Sequence, residues 1–223
     1  MALNIAMDGP VGAGKSTIAD EVARRLHILH LDTGAMYRAV GLTALKQGID
    51  IADEAAVTRL CESLTVDVAH DEQGQRTLVD GVDVSDGLRT EEVSMAASKV
   101  ATYGGVRRAM VAAQRRMAAT TDMLVDGRDI CTRVLPDATV KIFLTADAEE
   151  RARRRYLQLK EKGLEADFDE VLADLRRRDA QDSGRTIDPL RPAEDAVIVD
   201  TTNLDFEQTV AQIVGLVEER VRG

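Results

Sequence analysis

The sequence predicts an α/β fold in which a five-stranded parallel sheet is flanked by helices. Five short apolar runs recur along the 223 residues, helical patterns separate them, and the first run leads directly into a glycine-rich turn and a helix. Strands that alternate with helices are typical of a parallel sheet that is covered on both faces. A chain of this length can bury a sizeable core without disulfide support.

The five apolar runs are the predicted strands. They lie at residues 2–7, 27–31, 123–125, 140–144 and 196–199. The predicted helices begin at Lys15 or cover residues 35–46, 91–101, 106–119 and 206–220. In each of these segments the apolar residues recur at helical spacing, which indicates one face turned toward the sheet.

Two segments do not follow this alternation of strands and helices. Residues 64–84 alternate apolar and polar side chains around the turn-prone sequences DEQG and DG, which predicts a small antiparallel meander. Residues 149–188 are charged, helical and interrupted by Gly163 and Gly184, which predicts a mobile helical lid. We therefore expect one domain with its core at about 1–63, 99–148 and 189–223, an insertion at about 64–98 and a lid at about 149–188.

Composition argues against several classes of function. The net charge of −10 would repel a nucleic acid backbone, and an aromatic content of 3% without Trp provides no stacking platform for single strands. Cys61 and Cys131 are isolated and the three histidines lack metal-ligand spacing, so neither a disulfide framework nor a zinc site is expected. The apolar run before Asp8 is too short for a signal peptide or a membrane span, so we expect a cytoplasmic protein without a membrane partner.

The glycine-rich turn after the first predicted strand matches G-x-x-x-x-G-K-[ST] in full. Its glycines let consecutive backbone N–H groups converge on phosphate oxygens, and the next helix presents its positive end to the same anion. Lys15 is expected to bridge the β- and γ-phosphates of ATP, and the Ser16 hydroxyl to ligate Mg²⁺. The expected ATP-binding residues of the turn are Gly9, Pro10, Val11, Gly12, Ala13, Gly14, Lys15, Ser16 and Thr17.

This phosphate loop (P-loop) by itself does not separate a kinase from a switch or a motor. A GTPase would carry N-K-x-D or T-K-x-D after a late strand, whereas residues 143–148 read FLTADA. Arginines are concentrated at residues 151–191, where they suit an anionic substrate, although solvated helix faces are the alternative. The size of the chain and this arginine-rich segment favour a small-molecule kinase.

Further motifs resemble those of the bacterial cytidylate kinases. Residues 32–38 read DTGAMYR, which is similar to the family motif D-[ST]-G-x-x-Y-R, and residues 126–129 read DGRD, a second family element. Arg178 and Asp179, with Asp182 and Arg185, resemble the family's lid motif R-D-x-x-D-[ST]-x-R. The insertion at about 64–98 is also similar to the extra nucleotide-binding segment of this family. Together with the P-loop, these motifs occur in the family's order along nearly the whole chain.

The resemblance implies phosphoryl transfer from Mg-ATP to CMP or dCMP, and we expect a monomer. The implied catalytic residues are Lys15, Arg128, Arg178 and Arg185. The implied CMP-binding residues are Thr33, Tyr37, Arg38, Ser98, Arg107, Arg128, Asp129, Arg178, Asp182 and Arg185. Asp126 would anchor Mg²⁺ through water, and Arg154 would contact the donor nucleotide, with Arg155 as the alternative.

Within the implied CMP site the resemblance gives each side chain a role. Arg38, Arg128 and Arg185 would hold the CMP phosphate, as suits planar and permanently charged guanidinium groups. Asp182 would bind the ribose hydroxyls, with Arg178 near the phosphates. The cytosine ring would be read by Ser98, Arg107 and Asp129, and the pocket shaped by Thr33 and Tyr37.

Several of these residues have a structural alternative. Tyr37 could belong to the core, Ser98 could be a small packing residue, and Asp129 could cap the following turn. Arg151, Arg176 and Arg177 are expected to be solvated.

Four positions depart from the family pattern. Val11 replaces a small residue of the loop, a change that backbone cradling should survive. Cys131 and Arg133 replace a glycine and an apolar residue next to the implied acceptor pocket, and Tyr103-Gly-Gly, where Phe-Pro is frequent, is expected to loosen its turn.

The mechanism that these residues imply needs no general base. A phosphomonoester has a second pKa of about 6, so the CMP phosphate is largely dianionic near neutral pH. Charge neutralisation and alignment by Mg²⁺, Lys15 and the lid arginines are expected to supply the catalysis. The alternatives are a P-loop kinase for UMP, dTMP or a non-nucleotide alcohol, and a nucleotide-dependent switch.

Overall fold

The computed structural model describes residues 2–71 and 74–222, and it confirms the α/β fold. The parallel sheet contains β1 (Asn4–Asp8), β2 (Leu29–Asp32), β6 (Met123–Gly127), β7 (Val140–Thr145) and β8 (Val197–Asp200). Their order in the sheet is β2-β6-β1-β7-β8. By its internal contacts the chain divides into two compact units. The first is Leu29–Val125 with the start of the chain, and the second is Asn4–Ile28 with the chain from Asp126 onward.

In the second unit, β1, β7 and β8 form the centre. Ile5 pairs with Val140 and Ile142 with Val197, both in parallel register. The helices of this unit are α1 (Lys15–Leu26), α6 (Ala148–Glu161), α7 (Phe168–Ser183) and α8 (Phe206–Arg222). Ile5 is fully buried and so is Ile213 of α8, which places the core of this unit between strand and helix side chains.

The first unit contains β2, the start of β6 and most of the remaining helices. Its helices are α2 (Thr33–Lys46), α3 (Glu54–Ser63), α4 (Glu91–Val100) and α5 (Gly104–Ala118). Helix α2 packs closely on α4. The close approach is seen at Gly41, where a Cβ would lie only 3.1 Å from the Cβ of Ala96. Helix α3 was not predicted, although Asp53 caps it by accepting a hydrogen bond from the Ala56 amide at 2.9 Å.

The predicted meander is present in the first unit as a three-stranded antiparallel sheet. Its strands are β3 (Val66–Asp71), β4 (Gly74–Val79) and β5 (Val82–Asp83). They are adjacent in the order β3-β4-β5, with Val66 opposite Val79. The tip of the predicted DEQG turn, residues 72–73, lies outside the described residues. A five-residue 3₁₀ helix, Ser85–Arg89, follows β5.

The predicted elements differ from the observed ones mainly at their ends. The predicted strand at 27–31 begins only at Leu29, because His27 is in the left-handed region (φ 54°) and ends α1. The segment at 149–188 contains the two helices α6 and α7, and Gly163, with φ 71°, lies between them. None of the helices within residues 2–71 and 74–222 combines the length and apolar character of a membrane span.

Candidate active site

The P-loop leaves β1 and enters α1, and its glycines are required by its geometry. Gly12 and Gly14 have φ angles of 76° and 83°, in the left-handed region that L side chains rarely adopt. A Cβ at Gly9 would lie 2.0 Å from the carbonyl oxygen of Leu144, a backbone atom of β7. The first turn of α1 begins at Lys15, so its free N–H groups and positive end lie next to the loop.

Lys15 is folded back into the loop. Its side chain is buried, and Nζ donates hydrogen bonds to the carbonyl oxygens of Gly9 and Pro10, both at 2.8 Å. Burial, and to a smaller extent the Arg128 guanidinium, lowers the pKa of Lys15 from 10.5 to about 7, although nearby carboxylates oppose the shift. A bound phosphate would restore the charged form.

Ser16 and Asp126 form an oxygen pair next to Lys15. The Ser16 hydroxyl donates to Oδ2 of Asp126 at 3.1 Å, and Asp126 is buried near the end of β6. Hydroxyl and carboxylate oxygens are the ligands that Mg²⁺ prefers, and Mg²⁺ usually keeps several waters and takes further ligands from substrate phosphates. This pair therefore fits the magnesium site predicted from the sequence.

Asp8 is a further residue of the site, one that sequence reasoning missed. Its fully buried carboxylate accepts hydrogen bonds from the Ile130 and Cys131 amides, both at 2.8 Å. Burial raises the pKa of this carboxyl above its ordinary value, while the two amides oppose the shift. The contacts join the last residue of β1 to the short π-helical turn Ile130–Val134. An acid that ends an apolar strand directly before the P-loop was the available signal.

Arg128, Asp182 and Arg185, three predicted site residues, lie together. Nε of Arg128 donates to Oδ2 of Asp182 at 2.7 Å, and Arg185 pairs with the other carboxylate oxygen. Asp182 is buried, and a buried carboxylate needs partners of opposite charge. The two guanidinium groups supply them. Arg178 lies one turn earlier on α7 and pairs with Asp174 at 2.8 Å.

Asp129 lies directly before the π-helical turn and is 4% exposed. Its side chain makes no capping hydrogen bond, so the capping alternative has no support. The main-chain carbonyl of Asp129 instead accepts from the Arg133 amide at 2.8 Å.

In the first unit, Asp32 organises the start of α2. One of its carboxylate oxygens accepts from the Ala35 amide at 3.0 Å, and the other pairs with Nη2 of Arg38 at 2.6 Å. This double contact orients Arg38, one of the predicted phosphate-binding residues. Thr33 and Tyr37 are buried on the same helix.

Arg107 and Ser98, the predicted base-reading residues of this unit, lie on α5 and α4. Arg107 is 2% exposed, and Nη1 donates to the Ala101 carbonyl at 3.3 Å. Ser98 is half-buried. A buried guanidinium is costly unless its charge is paired or hydrogen-bonded.

The lid arginines require one correction. Arg151 was predicted to be solvated and is buried, with hydrogen bonds to Val11 and Asp179. Arg176 and Arg177 are exposed, as predicted. The local sequence does not distinguish Arg151 from its neighbours, because its partners lie far along the chain.

The two candidates for contact with the donor nucleotide, Arg154 and Arg155, differ in burial and in their protein partners. Arg154 is half-buried and donates to the Thr201 side chain at 3.0 Å and to the Thr201 carbonyl at 2.5 Å. Arg155 is exposed and contacts Gln158. Arg154 is thus held in place within the second unit.

Three of the departures from the family pattern have different surroundings in the structure. The Cys131 side chain points into the core, with Sγ 3.5 Å from the Ala6 carbonyl, and burial raises the pKa of its thiol. Arg133 is exposed. The expected loosening at residues 103–105 is not seen: Tyr103 is buried and donates its hydroxyl to the Ile51 carbonyl at 2.8 Å. A Cβ at Gly105 would lie 2.1 Å from Cγ2 of Thr58, so the turn is tightly packed.

The fold and the P-loop with its Ser16–Asp126 pair define a P-loop kinase. Solved structures share the fold: a shikimate kinase from Bacteroides thetaiotaomicron aligns over 97% of this chain and 98% of its own, with 12% identity and a TM-score of 0.51. A gluconokinase from Sinorhizobium meliloti aligns over 97% of this chain and 92% of its own, with 13% identity and a TM-score of 0.51. These likenesses concern the fold alone.

The sequence comparisons identify the family within this class. The model of the cytidylate kinase family matches residues 5–219, and the chain belongs to that family. The cytidylate kinase of Shouchella clausii is 46% identical over 219 residues, which cover 98% of this chain and 97% of that protein. The cytidylate kinase of Bacillus velezensis is 46% identical over 220 residues, covering 99% and 98%.

Proposed function

We propose that this protein transfers the γ-phosphoryl group of Mg-ATP to CMP, and also to dCMP, yielding CDP or dCDP and ADP. Membership of the cytidylate kinase family gives the reaction its class. The observation that carries the proposal is the P-loop with Lys15 buried inside it and Ser16 hydrogen-bonded to Asp126.

The donor half of the site is the P-loop. The residues proposed to bind ATP are Gly9, Pro10, Val11, Gly12, Ala13, Gly14, Lys15, Ser16, Thr17 and Arg154. Mg²⁺, when bound, would neutralise charge on the β- and γ-phosphates, held by Ser16 directly and by Asp126 through water. On ATP binding Lys15 would exchange the carbonyls of Gly9 and Pro10 for phosphate oxygens, which keeps its ammonium group fully hydrogen-bonded.

The acceptor phosphate is proposed to bind to arginines. Arg38, Arg128 and Arg185 would hold it, and Arg178 would neutralise charge on the transferring group with Lys15. Arg128 and Arg185 already converge on Asp182, which supports this role. The CMP phosphate is a dianion near neutral pH, so attack on the γ-phosphorus requires alignment and no general base.

The nucleoside part of CMP is proposed to bind through other residues. Asp182 would accept hydrogen bonds from the ribose hydroxyls, and Ser98, Arg107 and Asp129 would bind the cytosine. The burial of Arg107 and Asp129 supports this assignment, because buried polar groups discriminate strongly between bases. Thr33 and Tyr37 would form part of the wall.

The segment at 149–188 is proposed to close over the nucleotides and exclude water, which would otherwise hydrolyse ATP. The insertion at about 64–98 is proposed to contribute to acceptor binding, within a core at about 1–63, 99–148 and 189–223. We propose that the protein acts as a cytoplasmic monomer.

A coupled assay of ADP formation with CMP, dCMP, UMP, AMP and dTMP tests the reaction. We expect fast turnover that depends on the acceptor, with the highest kcat/KM for CMP or dCMP. A higher kcat/KM for UMP or dTMP would point to the rival P-loop kinase. Slow ATP hydrolysis that no acceptor accelerates would point to a nucleotide-dependent switch.

A further inference from the structure

Arg151 is a buried charged residue for which the proposed reaction has no role. It lies in the first turn of α6 and is 5% exposed. Its guanidinium donates to the Ala146 carbonyl at 2.9 Å, to the Val11 carbonyl at 2.8 Å and to Oδ2 of Asp179 at 2.7 Å. Because the N–H groups of a guanidinium form a rigid planar fork, three partners in three directions fix its position. One of these partners belongs to the P-loop.

The pair with Asp179 differs from the exposed ion pairs of the same helices. The Arg151 side chain is 6% exposed, whereas that of Arg153, which pairs with Glu150, is 60% exposed. Exposed pairs contribute little, but loss of one partner from a buried pair leaves an uncompensated charge. Arg151 therefore constrains its partners, whereas Arg153 does not.

Packing around the P-loop reinforces the same contact. A Cβ at Gly12 would lie 3.4 Å from Cδ2 of Leu175 and 3.5 Å from the Cβ of Arg151. Leu175 is one of the few buried residues of α7. Val11 and Gly12 are thus held between one side chain of α6 and one of α7.

Helix α7 connects the contact with Arg151 to residues that are predicted to bind the acceptor nucleotide. Asp179 pairs with Arg151, and Asp182, three residues later on the same helix, binds Arg128 at 2.7 Å. Residues three apart on a helix lie on nearly the same face, so one rigid element carries both contacts. Arg178 lies next to Asp179 on this helix.

We propose that Arg151 is a positioning residue that fixes the Val11 carbonyl of the P-loop and, through Asp179, the orientation of α7. It would align the loop amides for the phosphates of ATP without contacting the reacting atoms. The inference rests on the proposed function in assigning ATP to the loop. The proposal first predicts an effect on the affinity for ATP measured without an acceptor. This affinity does not depend on the identity of the acceptor.

Calorimetric titration with ATP in the absence of acceptor tests the proposal, with R153M as the matched control. We expect R151M to weaken ATP binding by about tenfold, because loop amides that are not aligned must be ordered on binding. D179N should weaken it less, since the Val11 hydrogen bond remains. The double variant should be no worse than R151M, whereas additive losses would contradict a coupled contact. Wild-type affinity in R151M would overturn the proposal.

R151K separates positioning from charge. It keeps the positive charge and loses the fork, so we expect it to remain weakened by about threefold or more. Full recovery in R151K would show that charge alone suffices and would overturn the proposal. If R151M does not fold, R151K and D179N decide the matter, and wild-type ATP affinity in both is the contrary result.

Hydrogen exchange distinguishes positioning from a role in stability alone. The amides of residues 12–14 should exchange faster in folded R151M than in the wild type or R153M. A lower melting temperature with unchanged exchange and unchanged ATP affinity would mean a purely structural role. If R151M binds ATP weakly but the wild type does not phosphorylate CMP, the proposed function fails and this inference stands.

Discussion

At the scale of single residues, Lys15 combines burial with a function that requires charge. The Gly9 and Pro10 carbonyls hold its ammonium group, while burial and the Arg128 guanidinium lower its pKa to about 7. Burial of a group that must be charged destabilises the nucleotide-free protein, and nucleotide binding would offset this destabilisation. Functional sites often contain groups with this conflict.

We expect K15M to lose at least about a thousandfold in kcat while keeping its fold, because Lys15 acts on charge that develops in the transition state. A circular dichroism spectrum like that of the wild type is the control for folding. Activity within about tenfold of the wild type would contradict the assignment of the P-loop.

Proton uptake provides a second test of Lys15. Its pKa in the free protein lies below the ordinary 10.5, so the side chain loses its proton as the pH rises past about 7. Bound phosphates favour the charged form, so ATP binding at about pH 8 should take up a proton that K15M does not take up. Calorimetry in Tris and in HEPES measures the uptake, because the two buffers differ in ionisation enthalpy. Equal buffer dependence in both proteins would contradict the shift.

Asp129 is predicted to decide between cytosine and uracil. A carboxylate can accept from the N4 amino group of cytosine, whereas uracil presents an oxygen there, and an unmatched buried polar group costs about 1–3 kcal/mol. With Arg107 mismatched as well, CMP should be preferred over UMP by on the order of a hundredfold. D129A should lose most of this preference, chiefly by losing activity on CMP.

D129N is the matched variant for this test. Its amide can accept from cytosine or donate to uracil, so it should retain more activity on CMP than D129A and accept UMP better than the wild type. The measurement is kcat/KM for both nucleotides. An unchanged ratio in D129A would exclude Asp129 as the reader of the base, and the kinase assignment would remain.

At the scale of elements, α6 and α7 are attached to the second unit by few residues. Only Arg151 and Ala152 of α6 and only Leu175 and Asp182 of α7 are buried. Beyond these, the edge-to-face contact of Tyr156 with Phe168, at 6.3 Å between ring centroids, joins the two helices. Elements with few buried contacts open locally at low free energy.

Hydrogen exchange tests whether this segment closes. Amides across about 160–186 should exchange fast in the free protein and more slowly with CMP and a non-hydrolysable ATP analogue together. Helix α8, which has four buried residues and carries none of the residues proposed to bind a nucleotide, provides the control and should change little. Equal exchange of 160–186 in both states would exclude a closing lid.

The junction of β1 with the P-loop makes a prediction about stability. G9A should lower the free energy of unfolding by at least about 2 kcal/mol, because the added Cβ would overlap the Leu144 carbonyl, 2.0 Å away. G215A, in α8, meets no atom within 4 Å and should raise it by about 0.5–1 kcal/mol. Urea unfolding of both variants measures the difference. A neutral G9A would mean that β7 moves away at little cost.

At the scale of the whole molecule, the charge of −10 makes copies of the chain repel one another. The edge strand β8 exposes Val197 and Ile198, which are 41% and 59% exposed. Edge strands can pair with a second copy unless charge or cover prevents it. The net charge and this strand therefore act in opposite directions.

We expect the repulsion to win and the protein to be monomeric. Sedimentation equilibrium at about 0.15 M salt should give a mass of 24.3 kDa. A dimer mass would contradict the prediction. An Ile198→Lys variant would then show whether β8 forms the interface, because a charge on an edge strand opposes pairing.

The sequence by itself determined the features that depend on near neighbours in the chain. A strand, a glycine-rich turn and a helix specify the P-loop through local backbone geometry, so the loop and the helix that begins at Lys15 could be predicted without a structure. The five strands were predicted from short apolar runs, and the meander from the alternation of apolar and polar side chains, which are also local patterns. The motifs around Arg38 and Arg128 led to the family, which the comparisons then confirmed.

Only the tertiary structure decided which charged residues are buried and what they contact. Arg151 meets Val11 across 140 positions of the chain, and Asp8 meets the Ile130 amide across 122 positions. Neither partner is encoded in the local pattern, since an arginine in a charged helix has the same sequence signature whether it is solvated or buried. Burial and long-range hydrogen bonds arise only when the chain is packed, and for that reason the burial of Arg151 and the contacts of Asp8 escaped prediction while the P-loop motif did not.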